Sequence, residues 1–222
     1  MSQHRKSKKT KPFSEPWVLS DAVLFVANQK FYVHRNILAS CSEVFKDIFA
    51  TSNAEEISLP GKKAVEVQEI LYVIYPHVRK EISEKNCVFL LELAHEYQIK
   101  TLMERCEEYL KGRKNSPEEA LHLIVLAQLF NLSADFIHSC LQEAKRIPVC
   151  SLEASTFYEK LNPPLATELH KESVHYWEKK ILYLEAKKAV KDDRKQRLAQ
   201  LSFKLNPAEK VAYFCQSRLL VF

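Results

Sequence analysis

Between Ser20 and Phe49 the chain reads SDAVLFVANQKFYVHRNILASCSEVFKDIF. Two short apolar runs, Ala22–Val26 and Lys30–His34, predict a pair of strands joined at Asn28-Gln29, because asparagine tolerates the positive φ that tight hairpins need. Two short helices follow. The first carries Ile37-Leu38-Ala39. The second can be capped by Ser42 and sets Val44, Phe45, Ile48 and Phe49 on one stripe. A hairpin feeding straight into two short helices constrains the fold, since each element has one apolar face and must bury it against the others.

Further along, Ile57 to Leu59 predicts a third strand and Pro60-Gly61 a turn. Helical spacing recurs at Val67, Ile70, Leu71 and Ile74 in the segment Ala64–Tyr75, which Pro76 stops. It recurs again at Leu90, Leu93, Ala94 and Tyr97, and at Ile99, Leu102, Met103, Cys106, Tyr109 and Leu110. Ser116-Pro117-Glu118-Glu119 combines a capping box with proline at the first helical position. The following Ala120–Phe130 is apolar nearly all round, as a helix inside a bundle should be. Ser133 can cap a partner helix carrying Ile137, Cys140, Leu141 and Ala144, and Ser151 a shorter one through Leu161. Pro163-Pro164 breaks the chain before a long helix running from Leu165 to about Leu205. Its apolar series Val174, Trp177, Ile181, Leu184 meets Lys188, Lys191 and Lys195 before Leu198. That interruption argues for a helix that packs and then projects, rather than a sustained coiled coil. Its basic residues read either as a solvated face with local ion pairs or as a surface for a partner or nucleic acid. The apolar last stretch, Val211–Phe222, is expected to fold back or to bind something.

Charge is placed unevenly. Arg5, Lys6, Lys8, Lys9 and Lys11 supply five positive charges with no acid among the first eleven residues, which equals the net +5 of the whole chain. The remainder is formally neutral. This tail reads as a solvated terminus, or as a nuclear-import or nucleic-acid-contacting segment; no aromatic residue before Phe13 is there to stack on bases. Only two glycines occur among 222 residues, which excludes glycine-rich phosphate loops. No apolar run approaches the ~18 residues of a membrane span, and the N-terminus lacks a signal-peptide core, so no membrane association is expected. The six cysteines form no C-x-x-C pair and the eight histidines no H-E-x-x-H. They read as reduced, packed thiols of a cytoplasmic or nuclear protein, with no metal and no cofactor. Cys41, near His34 and Ser20-Asp21, is the one nucleophile candidate if a helix start lowers its thiol pKa. The plainer reading is a partly buried small residue, because nothing local organises a triad. No enzymatic activity is expected.

The order of elements, with Asp21, Phe31-x-x-His34-Arg35, Ile37-Leu38-Ala39, Ser42-x-x-Phe45, Ile48-Phe49, Ile57-Ser58-Leu59-Pro60 and Cys106-Glu107-Glu108-Tyr109-Leu110, resembles the BTB (POZ) domain over roughly the first half of the chain. LPGKK (Leu59–Lys63), IYP (Ile74–Pro76) and FLLELAHEYQI (Phe89–Ile99) look most like the BTB segments of MATH-and-BTB proteins. With twenty residues ahead of Asp21, no MATH domain is expected here. The resemblance implies an α+β BTB/POZ fold, a small sheet with surrounding helices, followed by an all-α C-terminal extension. Residues 1–16 are then a disordered basic tail and 17–112 the BTB/POZ domain. Residues 113–162 form helical hairpins similar to a shortened BACK extension, and 163–222 hold the long helix and a terminal one.

Such domains are protein-interaction modules. The resemblance implies a homodimer through Trp17, Asp21, His34, Ile37, Ser40 and Phe45, an apolar interface of upwards of ~2,000 Å². It also implies docking of a cullin scaffold, which would present substrates for ubiquitylation, at Ile48, Phe49, Asn53 and Glu55. In the family an apolar residue precedes the docking glutamate by two; here that residue is Asn53. An apolar anchor commonly contributes ~2 kcal/mol or more, so the exchange weakens docking tenfold to a hundredfold. The alternatives are a nuclear regulator that recruits corepressors and a plain oligomerising scaffold. No C-x-x-C…H-x-x-x-H pattern exists to read DNA, so sequence-specific nucleic-acid binding is not expected. An unidentified substrate or partner is expected on the C-terminal helices.

Overall fold

Alternation along the first hairpin decides the sheet. In the computed structural model, which describes residues 12–52 and 54–204, β1 (Ala22–Val26) and β2 (Gln29–Val33) run antiparallel, with Ala22 opposite Val33, Leu24 opposite Phe31 and Val26 opposite Gln29. Ala22, Leu24, Val26, Phe31 and Val33 all turn to one buried face, as a period of two requires. The loop is Ala27-Asn28, one residue earlier than the sequence suggests. Both residues have positive φ, 45° and 64°, the geometry of the two-residue turn whose twist matches the flanking strands. Strand β3 (Glu56–Ser58) joins β1 in parallel, with Leu24 opposite Ile57, giving the order β2-β1-β3.

Between β2 and β3 lie α1 (Arg35–Cys41) and α2 (Glu43–Thr51). Ser42 caps α2 as its sequence implies. Its Oγ accepts the Phe45 N–H at 3.1 Å while donating to the Tyr97 carbonyl at 2.5 Å. After β3 every described element is helical: α3 (Ala64–Ile74), α4 (Cys87–Glu96), α5 (Lys100–Lys111), α6 (Pro117–Phe130), α7 (Ala134–Ala144), α8 (Val149–Glu153), a 3-10 turn at Tyr158–Lys160, and α9 (Pro163–Lys204). No helix among the described residues is long and apolar enough to cross a membrane.

The chain divides into two units, Met1–Leu141 and Gln142–Phe222. In the first, Leu24, Phe31, Leu38, Leu71, Leu90, Ile99 and Leu102 are buried against the small sheet's inner face and among the helices. A void of about 10 Å³, lined by Leu24, Leu38, Phe45 and Tyr97 among others, is no larger than one water needs. The capping box at α6 is complete, Ser116 Oγ accepting from Glu119 N–H and the Glu119 carboxylate from Ser116 N–H. Ser133 Oγ accepts the Phe136 N–H at 3.2 Å and so caps α7.

Three details depart from the sequence reading. Phe13, expected in a disordered tail, is 1% exposed and its carbonyl accepts the Tyr32 N–H at 2.9 Å; a large ring that can reach the aromatic cluster is cheaper to bury than to solvate. Ser151 lies inside α8, which starts after Pro148. Pro163 and Pro164 open α9 instead of ending a segment, since proline at the first helical turn forfeits no internal hydrogen bond.

Candidate functional site

A tight turn precedes β1. Ser20 N–H donates to the Trp17 carbonyl at 2.9 Å, and Ser20 Oγ accepts the Trp17 N–H at 3.2 Å. Leu19 sits within it at φ 61°, a backbone conformation uncommon for a bulky side chain. At the tip, Val18 and Leu19 are 81% and 86% exposed.

An aromatic cluster anchors that tip. Trp17 Nε1–H donates to the Tyr32 carbonyl at 2.8 Å, and its ring meets those of Phe13, His34, Tyr75 and His77 at centroid distances of 4.7 to 5.7 Å. His34 Nε2 lies 2.8 Å from the Val18 carbonyl. A carbonyl oxygen only accepts, so this nitrogen carries the proton. Tyr75 Oη accepts the His34 backbone N–H at 2.9 Å and faces Nδ1 at 3.4 Å. Burial pushes the Tyr75 phenol up to about 12.

The residues expected at a dimer interface divide. Trp17, His34 and Ile37 are half-buried, Asp21 and Ser40 exposed. Asp21 Oδ1 accepts the Arg35 N–H at 2.8 Å and so caps α1 from outside the helix. Phe45 packs inward. It is 5% exposed and stacks on Tyr97 at 4.9 Å with the rings 7° apart. Within the single chain Phe45 thus packs against the domain's own core, while Val44, Ile48 and Phe49 of the same stripe stay half-buried.

The expected docking edge is organised by Arg35, which the sequence reading places in its motif without a role. Its Nη1 donates to the Ser52 carbonyl at 3.2 Å, Nη2 to the Ala54 carbonyl, and Nε to the Asp21 carbonyl at 3.3 Å. Its guanidinium carbon lies 5.1 Å from the centre of the Phe49 ring, within cation–π range. Ile48 and Phe49 are half-buried and Glu55 is exposed. Asn53 and the tail residues Arg5, Lys6, Lys8, Lys9 and Lys11 lie outside the described residues, as does Val211–Phe222. The His34-Arg35 pair was the available signal for Arg35. Its carbonyl acceptors have no side-chain signature.

Cys41 ends α1 rather than starting a helix, and burial raises its thiol pKa, the reverse of an activated nucleophile. No group of three or more His, Cys, Asp or Glu among the described residues is placed to hold a metal ion. In the second unit an open cleft of about 400 Å³ is lined by Lys145, Glu172, His175, Tyr176, Lys179, Lys180 and Tyr183.

Known proteins are similar to the first half of the chain. The BTB/POZ domain family matches residues 10–114. Kelch-like protein 36 of Rattus norvegicus is 34% identical over 116 residues, which is 50% of this chain and 19% of that protein. BTB and MATH domain-containing protein 38 of Caenorhabditis elegans is 32% identical over 134 residues, 58% of this chain and 33% of that protein. The chain thus spans a third or less of the length of these curated relatives. Among solved structures, the BTB domain of zebrafish PATZ1 is 25% identical and covers 42% of this chain and 77% of its own, with a TM-score of 0.37. The family match falls on the segment that holds the small sheet and the α1 and α2 that follow its hairpin, and residues 10–114 of this chain are a BTB/POZ domain.

Proposed function

We propose that this protein is a scaffold or adaptor that pairs with a second copy of itself through the face around the Val18-Leu19 turn. The observation that carries the reading is that turn. Two adjacent apolar side chains are held more than four-fifths exposed on a hydrogen-bonded aromatic platform, with half-buried Trp17 and Ile37 nearby in the fold's expected interface set. Burying such a pair against its symmetry mate contributes about 25 cal/mol per Å² of apolar surface, and a self-complementary patch closes into a two-fold dimer. Light scattering should give twice the 25.8 kDa chain mass. Val18→Asp with Leu19→Asp should give a folded monomer by circular dichroism. A wild-type sample that stays monomeric at high micromolar concentration sinks the proposal.

A narrower reading makes the edge around Ile48, Phe49, Asn53 and Glu55 the dock for a cullin scaffold. It is supported by the Arg35 brace, which ties Phe49 and the carbonyls on either side of Asn53 to β1. Asn53→Leu should tighten capture by a cullin N-terminal domain roughly tenfold, through an apolar anchor. No capture by either form would remove the cullin role and leave the scaffold.

A further inference from the structure

In the second unit, the packed part of α9 ends at Trp177. Ser173 Oγ and Trp177 Nε1–H both donate to the Ile147 carbonyl, at 2.7 and 3.2 Å. Beyond them every side chain from Glu178 to Arg197 is exposed. That stretch is not the polar helix such exposure calls for. Ile181, Leu182, Tyr183, Leu184 and Val190 are all at least half open to water.

Order appears when the positions are counted. Trp177, Ile181, Leu184, Lys188, Lys191 and Lys195 follow one another at alternating steps of four and three, the spacing of a seam that faces another helix. Along one flank Glu178, Glu185 and Asp192 recur every seven residues. Along the other, Lys180, Lys187 and Arg194 do the same. Those flanking positions set partner choice and orientation in paired helices. Among the described residues none of these six is in an ion pair; the pair on this stretch is Arg197–Asp193 at 3.0 Å.

A second copy fits poorly. Side by side in parallel the flanks would match, Lys180 against Glu185 and Lys187 against Asp192, but Lys188, Lys191 and Lys195 would each face themselves in the seam, three like-charge contacts where low dielectric sharpens repulsion. In antiparallel order the acidic flank would meet the acidic flank and the basic flank the basic. A nucleic acid or an anionic membrane would suit the seam lysines but would lie against the regular acidic row. We infer that the exposed part of α9 is a docking seam for an acidic amphipathic helix of a different protein. Apolar side chains of that helix would cover Ile181 and Leu184, and its carboxylates would meet Lys188, Lys191 and Lys195.

The test uses the full chain and three synthetic helices read by fluorescence anisotropy. One has leucines opposite the apolar part of the seam and glutamates opposite the three lysines; the second has lysines for those glutamates; the third is a scramble of the first. The glutamate helix should bind roughly tenfold or more tightly than the other two, since each exposed ion pair contributes modestly and reversal turns gain into repulsion. Lys188→Glu, Lys191→Glu and Lys195→Glu together should invert the preference, an outcome that simple damage to the helix would not produce. Equal binding of the scramble, or an unchanged preference in the triple variant, overturns the proposal. So does a fall in the chain's own mass by light scattering when Ile181→Asp and Leu184→Asp are introduced while Val18 and Leu19 are intact, because a second copy would then hold the seam.

Discussion

Glu107 shows how much a single carboxylate can organise. It receives the Ser133 backbone N–H at 3.1 Å, the Ser133 hydroxyl, and the Lys111 ammonium at 2.7 Å. It thereby fixes the residue that caps α7. Burial works against its ionisation, but the hydrogen bonds from Lys111 and Ser133 outweigh that and hold its carboxyl below the usual value. A depressed folded-state pKa stabilises the protein above the unfolded value near 4.5 and loses that contribution as pH falls through the folded value. Glu107→Gln should therefore cost about 1 kcal/mol at pH 7. In urea titrations the gap to wild type should close on acidification below the usual carboxylate range; a gap that persists would deny Glu107 this role. Neither Glu107 nor Arg35 was legible as an organiser. Both act on backbone groups brought near by the fold, and a carbonyl reads the same in every residue. Ser42 was legible because it caps its own helix, whereas Asp21 and His34 were read only as interface residues and their bonds to Arg35, Val18 and Tyr75 reach across the fold.

At the level of elements, apolar spacing and capping residues located the helices well, since both signals are local. The capping box at Ser116–Glu119 and the Ser133 cap formed as written. Ser151 did not, because Pro148, three residues earlier, already stands at the cap and the helix begins at Val149. The hairpin loop shifted by one residue because strand register, not turn preference, decided it: Val26 pairs with Gln29 and leaves Ala27 to adopt positive φ. What the sequence concealed is which way a stripe faces. Val44, Phe45, Ile48 and Phe49 mark an apolar side of α2 equally well for a core and for an interface, and Phe45 settled against Tyr97. Phe45→Asp is accordingly a folding variant rather than a dissociating one, on the scale of the 3–5 kcal/mol that removing a buried phenylalanine costs. The end of α4 carries a separate prediction. Gln98 has φ 52°, Ile99 N–H returns to the Ala94 carbonyl at 2.8 Å and Gln98 N–H to His95 at 3.2 Å, which is the helix stop that favours glycine. Gln98→Gly relieves ~1–2 kcal/mol of left-handed cost against roughly 0.5–1 kcal/mol of added chain entropy. The net gain of about 0.5 kcal/mol should raise the urea midpoint at constant slope.

At the level of the whole molecule, the interaction domain and the helical extension were both visible in order and pattern, and the long helix was expected within two residues of where it starts. The N-terminal limit was less visible. One buried aromatic residue after a run of lysines offers no periodicity to read. The exposure of α9 from Glu178 to Arg197 predicts its chemistry in a protease: with basic residues throughout and side chains open to water, trypsin should cut between Lys179 and Arg197 before it cuts within residues 22–110. Early cleavage inside α3 to α5 would contradict the packing described for them.

The hydrogen bond from Tyr32 to Phe13 has a practical reach. β2 is the outermost strand of a three-stranded sheet, and the short segment ahead of Trp17 lies along it and occupies one of its outward backbone donors. A fragment begun at Trp17 would strip that guard, pull a ring out of the aromatic cluster and leave a bare strand margin on which foreign β-structure can grow. Such a fragment should cloud on warming under conditions in which one begun before Pro12 stays clear.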